Sequence, residues 1–208
     1  MPRQEAPLEY LRRFIPEAAV PRTLQYLQHY QVHLTITRER KTVLGDYRNA
    51  TRHQAHRISV NSTLNKYAFL ITLVHELAHL VTFMECGHRV QPHGKEWKTF
   101  YALLLKDFLE MQLFPADVQQ TLEQSLHDLP ASSCSDENLM RILRRYDHIE
   151  NGKLLVEQLE EGAVFDTGEG KLFRKGKKLR KRYQCLEVKT GKLYLFSPIF
   201  EVRKVSGE

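Results

Sequence analysis

The sequence predicts an α+β fold in two parts, and three observations carry that prediction. Strand-like alternation and long helical patterns share the first two thirds of the chain. One helical pattern is apolar on nearly every side, and the last third is a series of short strand-like segments separated by glycine and proline. A length of 208 residues allows one ordinary domain plus a small appendage, and 42% hydrophobic with 27% charged residues is the balance of a folded, soluble protein. The expected organisation is a first domain over residues 1–130, a helical linker over 131–150 and a basic β-rich unit over 151–208.

Pro21 in a first helical turn, followed by Leu24, Tyr26, Leu27 and Tyr30, predicts a short helix. Val32, Leu34 and Ile36 then alternate with His33, Thr35 and Thr37, and 43–48 and 56–60 supply two more strand candidates, together read as a small antiparallel sheet. Asn61 and Ser62 form a cap-like break before the apolar helix from Tyr67 to Met84, which Gly87 ends. Trp97, Phe100, Leu103, Leu104, Phe108 and Met111 recur at three- and four-residue steps and predict a second long helix from Gly94. Pro115 opens a third and Ser135 caps a fourth, with residues 130–135 as the most linker-like segment. Strand segments follow at 163–165, 172–173, 182–188, 192–196 and 199–202, with Thr190-Gly191 as a hairpin turn.

The net charge of +6 is unevenly spread: residues 1–150 are nearly balanced and 151–208 carry most of the excess. Cys86, Cys134 and Cys185 are widely spaced and include no C-x-x-C pair, which argues against a disulfide framework or a cysteine zinc site and fits a reducing compartment. The first ten residues lack the apolar stretch of a secretory signal, so a cytoplasmic location is expected. The apolar helix is interrupted by His75, Glu76 and His79, which disfavours a bilayer span and predicts burial in protein, with no membrane partner.

Those three residues begin the candidate site. His75-Glu76-Leu77-Ala78-His79 puts two imidazoles one helical turn apart on one face, a spacing that can grip one Zn²⁺. Glu76 is rotated by about 100° and can serve as a base toward a hydrolytic water. The flanks Phe69, Leu70, Ile71, Leu73, Val74, Leu77, Leu80 and Val81 make an exposed face hard to reconcile with the pattern, and three buried ionisable groups call for a partner. A third ligand is needed, with His88, His93 and Glu96 as the candidates. His93 is favoured because it stands immediately before Gly94 and the next helix, which can fix its ring. His88 lies in the connecting turn, and Glu96 would suit a two-His-one-Glu site or support a histidine ligand.

The stretch from His75 to Trp97, HELAHLVTFMECGHRVQPHGKEW, resembles the SprT family of zinc metallopeptidase domains, whose pattern is HExxH followed by a histidine in an H-G-x-x-W or H-G-x-x-F step. The resemblance extends over residues 5–112. It implies a minimal zincin fold, one zinc ion held by His75, His79 and His93, Glu76 as general base, and peptide-bond hydrolysis of protein substrates, including proteins crosslinked to DNA. Many members of that family also carry a four-cysteine zinc ribbon at the C-terminal side. Of such a set the C-terminal segment here keeps Cys185 alone, so a degenerate ribbon or an unrelated β module is expected, without a second zinc.

Residues 171–182, KLFRKGKKLRKR, hold eight basic side chains and no acid. Arg174, Lys175, Lys177, Lys178, Arg180, Lys181 and Arg182 are therefore candidates for phosphate-backbone contact with DNA or RNA through counterion release. Against this stands a plain solvated turn or a charged edge strand. The leading reading is a zinc endopeptidase working on or near nucleic acid. The alternative is a nucleic-acid-binding protein whose zincin domain is structural or catalytically silent, and retention of Glu76 favours the first.

Overall fold

Local sequence chemistry accounts for most helix boundaries in the computed structural model, which describes residues 8–38, 40, 43–126, 136–147 and 153–205. Helix α1, Val20–His29, opens on Pro21 and buries Val20, Thr23 and Leu27. Helix α2, Lys66–Cys86, starts where the Asn65 side chain accepts hydrogen bonds from the Tyr67 and Ala68 N–H groups, each at 3.0 Å, and stops at Gly87 with φ 68°. The cap is thus Asn65, not the Asn61–Ser62 break: Asn61 lies at the end of a strand and is buried. Helix α3, Lys95–Glu110, turns Trp97, Tyr101, Leu104, Leu105 and Phe108 inward, and α4, Ala116–Ser125, follows Pro115.

Strands β1, His33–Thr37, β2, Gly45–Arg48, and β3, Arg57–Asn61, form a three-stranded sheet in the order β1-β3-β2. The expectation of an antiparallel sheet holds for β2 with β3 alone. β1 runs parallel to β3, with Leu34 opposite Ile58 and Ile36 opposite Val60. The central strand β3 turns Ile58 and Val60 fully inward, and such a buried strand can take a parallel neighbour on one side and an antiparallel one on the other.

Helix α2 is the centre of the first unit. Because it is apolar around most of its circumference, it can be covered on several sides at once, and Phe69, Leu70, Leu73, Leu77 and Leu80 are all fully buried. By length and composition it could cross a membrane, yet 78% of that window is buried inside the protein. The Tyr26 hydroxyl donates to Asp107 at 2.9 Å and Arg22 pairs with the same carboxylate at 3.1 Å, tying α1 to α3.

The first compact unit runs to Asp147. It takes in α5, Glu137–Leu143, capped by Asp136; Leu139 and Leu143 join its core, so this part of the segment expected as a linker packs as domain. Ser135, Cys134 and the 130–135 stretch lie outside the described residues. The second unit, from His148, is one six-stranded antiparallel sheet in the order β4-β9-β5-β6-β7-β8. Its strands are β4, Lys153–Leu155, β5, Val164–Asp166, β6, Leu172–Leu179, β7, Arg182–Glu187, β8, Leu193–Phe196, and β9, Glu201–Lys204. Its core is Val156, Leu159, Phe165, Phe173, Cys185 and Val202, so the expected lone cysteine fills apolar space.

Candidate metal centre

One turn of α2 and one strained residue before α3 bring three imidazoles together. His75 and His79 lie on the same face of α2, His75 buried and His79 half-buried. His93 reaches them from a left-handed backbone conformation, φ 59°, which a non-glycine side chain adopts at a cost. The next residue, Gly94, caps α3 and donates its N–H to the Gln91 carbonyl at 2.9 Å, which fixes the turn. The resulting Nε2 separations are 3.1 Å for His75 and His93, 3.3 Å for His75 and His79, and 3.0 Å for His79 and His93.

This triangle fits a cation. Three nitrogens bound at 2.0–2.1 Å to one tetrahedral ion lie about 3.3 Å apart, close to the observed spacing. The rings are also in the state a metal needs. Burial, followed by the neighbouring charges of His79 and His93, lowers His75 to about 3. Burial and then His93 lower His79 to about 4, and burial lowers His93. All three are neutral at pH 7, with three nitrogen edges converging on one point that their own N–H groups cannot satisfy together. Among the described residues this is the one group of side chains able to hold a metal ion. His88, exposed and packed edge-on against Phe83, and Glu96, exposed, are not members of it.

Trp97 supports the cluster from α3. Its ring centroid lies 4.7 Å from His75, 5.3 Å from His79 and 4.7 Å from His93, and it stacks on Tyr101 at 4.8 Å. A buried aromatic wall of this kind limits the rotamers open to all three rings.

Glu76 faces the sheet. Burial, reinforced by Asp46, pushes its carboxyl up to about 8, while Arg40 and a hydrogen bond from the Tyr47 backbone N–H act the other way. The carboxyl lies directly against β2: a β-carbon added to Gly45 would stand 2.6 Å from Glu76 Oε1. Tyr47 also donates its hydroxyl to His56 Nδ1 at 2.9 Å, and the Ala50 N–H donates to the same nitrogen at 3.1 Å, so the His56 proton is on Nε2. Tyr47, on the edge strand β2, and His56 are thus half-buried partners. Arg48 and His53 are exposed, with Arg48 paired to Asp46.

With this geometry in view, comparison with known proteins is decisive for the first unit. Residues 17–115 match the model of the SprT-like family. Residues 17–115 belong to the SprT-like family. Protein SprT of Pseudomonas fluorescens (strain SBW25) is 30% identical over 103 residues, which cover 47% of this chain and 58% of that protein. Protein SprT of Glaesserella parasuis serovar 5 (strain SH0165) is 35% identical over 86 residues, 39% of this chain and 52% of that protein. The chain therefore spans a little over half the length of these curated relatives. No solved structure is significantly similar. The SprT-like match contains the whole three-histidine cluster and ends before the second unit begins.

Two features of the SprT-like domain escaped sequence reasoning. Gly45 and the Tyr47 N–H touch Glu76, and the sequence signal for them was a glycine opening a strand pattern, which often marks close backbone approach. Beyond the domain, the basic run forms β6 and its turn into β7. Arg174, Lys177, Lys178, Arg180, Lys181 and Arg182 are exposed, and Arg180 makes the turn with φ 42°. Among the described residues, Lys177, Lys178, Arg180, Lys181 and Arg182 form no ion pair. Lys175 must be removed from the candidate phosphate contacts. It is buried, its ammonium donates to the Leu159 and Glu157 carbonyls, and it sits 4.2 Å over the Tyr183 ring, because strand alternation turns it to the core face of the sheet.

Proposed function

We propose that the SprT-like domain is a zinc-dependent endopeptidase of the minimal zincin type, with His75, His79 and His93 as ligands of one zinc ion and Glu76 as general base. The reading is carried by the convergence of three neutral Nε2 atoms within 3.3 Å of one another on the helix that also bears a buried carboxyl. A zinc ion bound there would supply Lewis acidity toward water and a substrate carbonyl, and its charge would draw the Glu76 carboxyl toward its ionised form. Glu76 takes the proton of the attacking water at a carboxylate oxygen and returns it to the departing amine nitrogen. Trp97 holds the imidazoles in their converging orientation.

The exposed hairpin of β6 and β7 gives this activity an address. Lys177, Lys178, Arg180, Lys181 and Arg182 concentrate exposed positive charge on one hairpin, which suits a phosphate backbone of DNA or RNA. Protein substrates held on nucleic acid are then the natural class.

Metal analysis and proteolysis test the peptidase reading together. Glu76→Gln should keep one equivalent of zinc and lose cleavage of an unfolded protein substrate, whereas His79→Ala should lose both. Loss of zinc in His88→Ala but not in His93→Ala would overturn the ligand assignment. A parent protein with zinc but no cleavage would favour a silent domain. For the hairpin, filter binding of DNA should weaken steeply as salt rises and fall in a Lys177→Glu/Lys178→Glu variant. Absent or salt-independent binding would defeat the nucleic-acid part and leave the peptidase part standing.

A further inference from the structure

The general base proposed above lies against a strand that has no side chain where it touches. Strand β2 is an edge of its sheet, pinned to β3 with Gly45 opposite Val60 and Tyr47 opposite Ile58, two partners that are fully buried. Gly45 and Tyr47 are two residues apart and so share the strand face toward α2. A β-carbon at position 45 would stand 2.6 Å from Glu76 Oε1, 2.9 Å from Glu76 Cγ and 2.7 Å from Thr72 Cγ2. All three distances are well inside ordinary contact, where carbon neighbours sit about 3.5–4.0 Å apart.

Neither neighbour has an easy way out. Thr72 is buried with its hydroxyl bonded to the Ala68 carbonyl at 2.8 Å, which commits its methyl to the Gly45 side. Glu76 is buried, and the Tyr47 N–H holds its carboxylate. Gly45 has a negative φ, so its backbone is open to any residue, and the reason for glycine at this position is space alone.

We propose that Gly45 is a positioning residue for Glu76: its bare backbone lets the carboxyl seat directly on β2, where the Tyr47 N–H sets its orientation. The inference rests on the general-base role of Glu76 and names what aims that base. A methyl group at position 45 would have to move the carboxyl by roughly 0.7 Å to reach ordinary contact, and misplacement on the order of 1 Å costs about 100-fold in rate.

Gly45→Ala tests this, read by three measurements on the full chain. The expected result is a kcat lower by roughly 10- to 100-fold with KM and zinc content unchanged, and faster hydrogen exchange at the Tyr47 amide as its acceptor moves away. Glu76→Ala, which removes both Cγ and the carboxyl, supplies the control cycle. Gly45→Ala should cost less in Tm when added to E76A than when added to the parent. The Tm arm also keeps the test open if Gly45→Ala alone folds poorly. Unchanged kcat together with an unchanged Tyr47 exchange rate would overturn the proposal. So would losses that simply add in the double variant. If the parent cleaves nothing, the peptidase reading fails by itself, while the Tyr47 exchange rate and the Tm cycle still decide whether Gly45 seats Glu76.

Discussion

In the metal-free protein, two buried groups of α2 should pull stability in opposite directions as the pH falls, and Glu76→Gln should expose the half that is hidden. His75 is lowered from 6.5 to about 3, by burial first and then by His79 and His93. Folded protein then binds fewer protons than unfolded chain, so the stability is intact above pH 6.5 and is lost as the pH falls through the window from 6.5 to 3. Each pH unit well inside such a window is worth about 1.4 kcal/mol, so acidification from pH 7 to 5 removes about 2 kcal/mol through His75. Glu76 has the opposite sign. With its carboxyl raised from 4.5 to about 8, the folded state keeps a proton that the unfolded chain has lost, and the burial penalty grows as the pH rises from 4.5 to 8. The same acidification therefore returns about 2.5 kcal/mol. His79, partly open to solvent, adds a smaller loss on the side of His75. The parent should stay within about 1 kcal/mol between pH 7 and 5, while Glu76→Gln should lose about 2–3 kcal/mol. Urea unfolding at pH 7, 6 and 5 with a chelator present measures both. Parallel curves for parent and variant would refute the argument that these two groups are buried against their preferred charge states.

Two further outcomes follow from packing and capping. Trp97 is the sole tryptophan and contacts all three imidazoles, so its emission should be quenched by cobalt(II) with saturation at one equivalent, and His93→Ala should abolish that response at the same concentration; an unresponsive Trp97 would contradict its placement. Asn65→Ala should destabilise the first unit by about 1–2 kcal/mol in urea unfolding, since it removes the α2 cap and the donor to the Leu143 carbonyl. Asn65→Asp keeps the cap but sets a second carboxylate against Asp147, now 2.6 Å from the Asn65 amide nitrogen, so it should also lose stability.

The features legible in the sequence are those with a short period. His75 and His79 fall on one face because four residues are close to one helical turn, and the apolar flanks announced that α2 would be covered on several sides. Gly87 and Pro115 punctuate helices by local backbone chemistry, and Thr190-Gly191 does the same for the β7 and β8 hairpin. Strand alternation located β1 to β3 but not their pairing, because parallel and antiparallel neighbours impose the same alternation on a half-buried strand. The same limit applied to Lys175, which reads as one more cation in a basic run until the sheet turns it inward.

By itself the sequence determined a helix with two imidazoles and a carboxyl at fixed angles, and a second part rich in positive charge. Only the tertiary structure decided that the His93 nitrogen closes the triangle, that Trp97 packs on all three rings, and that Glu76 rests on the bare backbone of Gly45. The physical reason is range. Angular placement along one helix follows from bonded geometry, whereas contact between residues 45 and 76 or 79 and 93 depends on how separate elements pack, which no local pattern encodes.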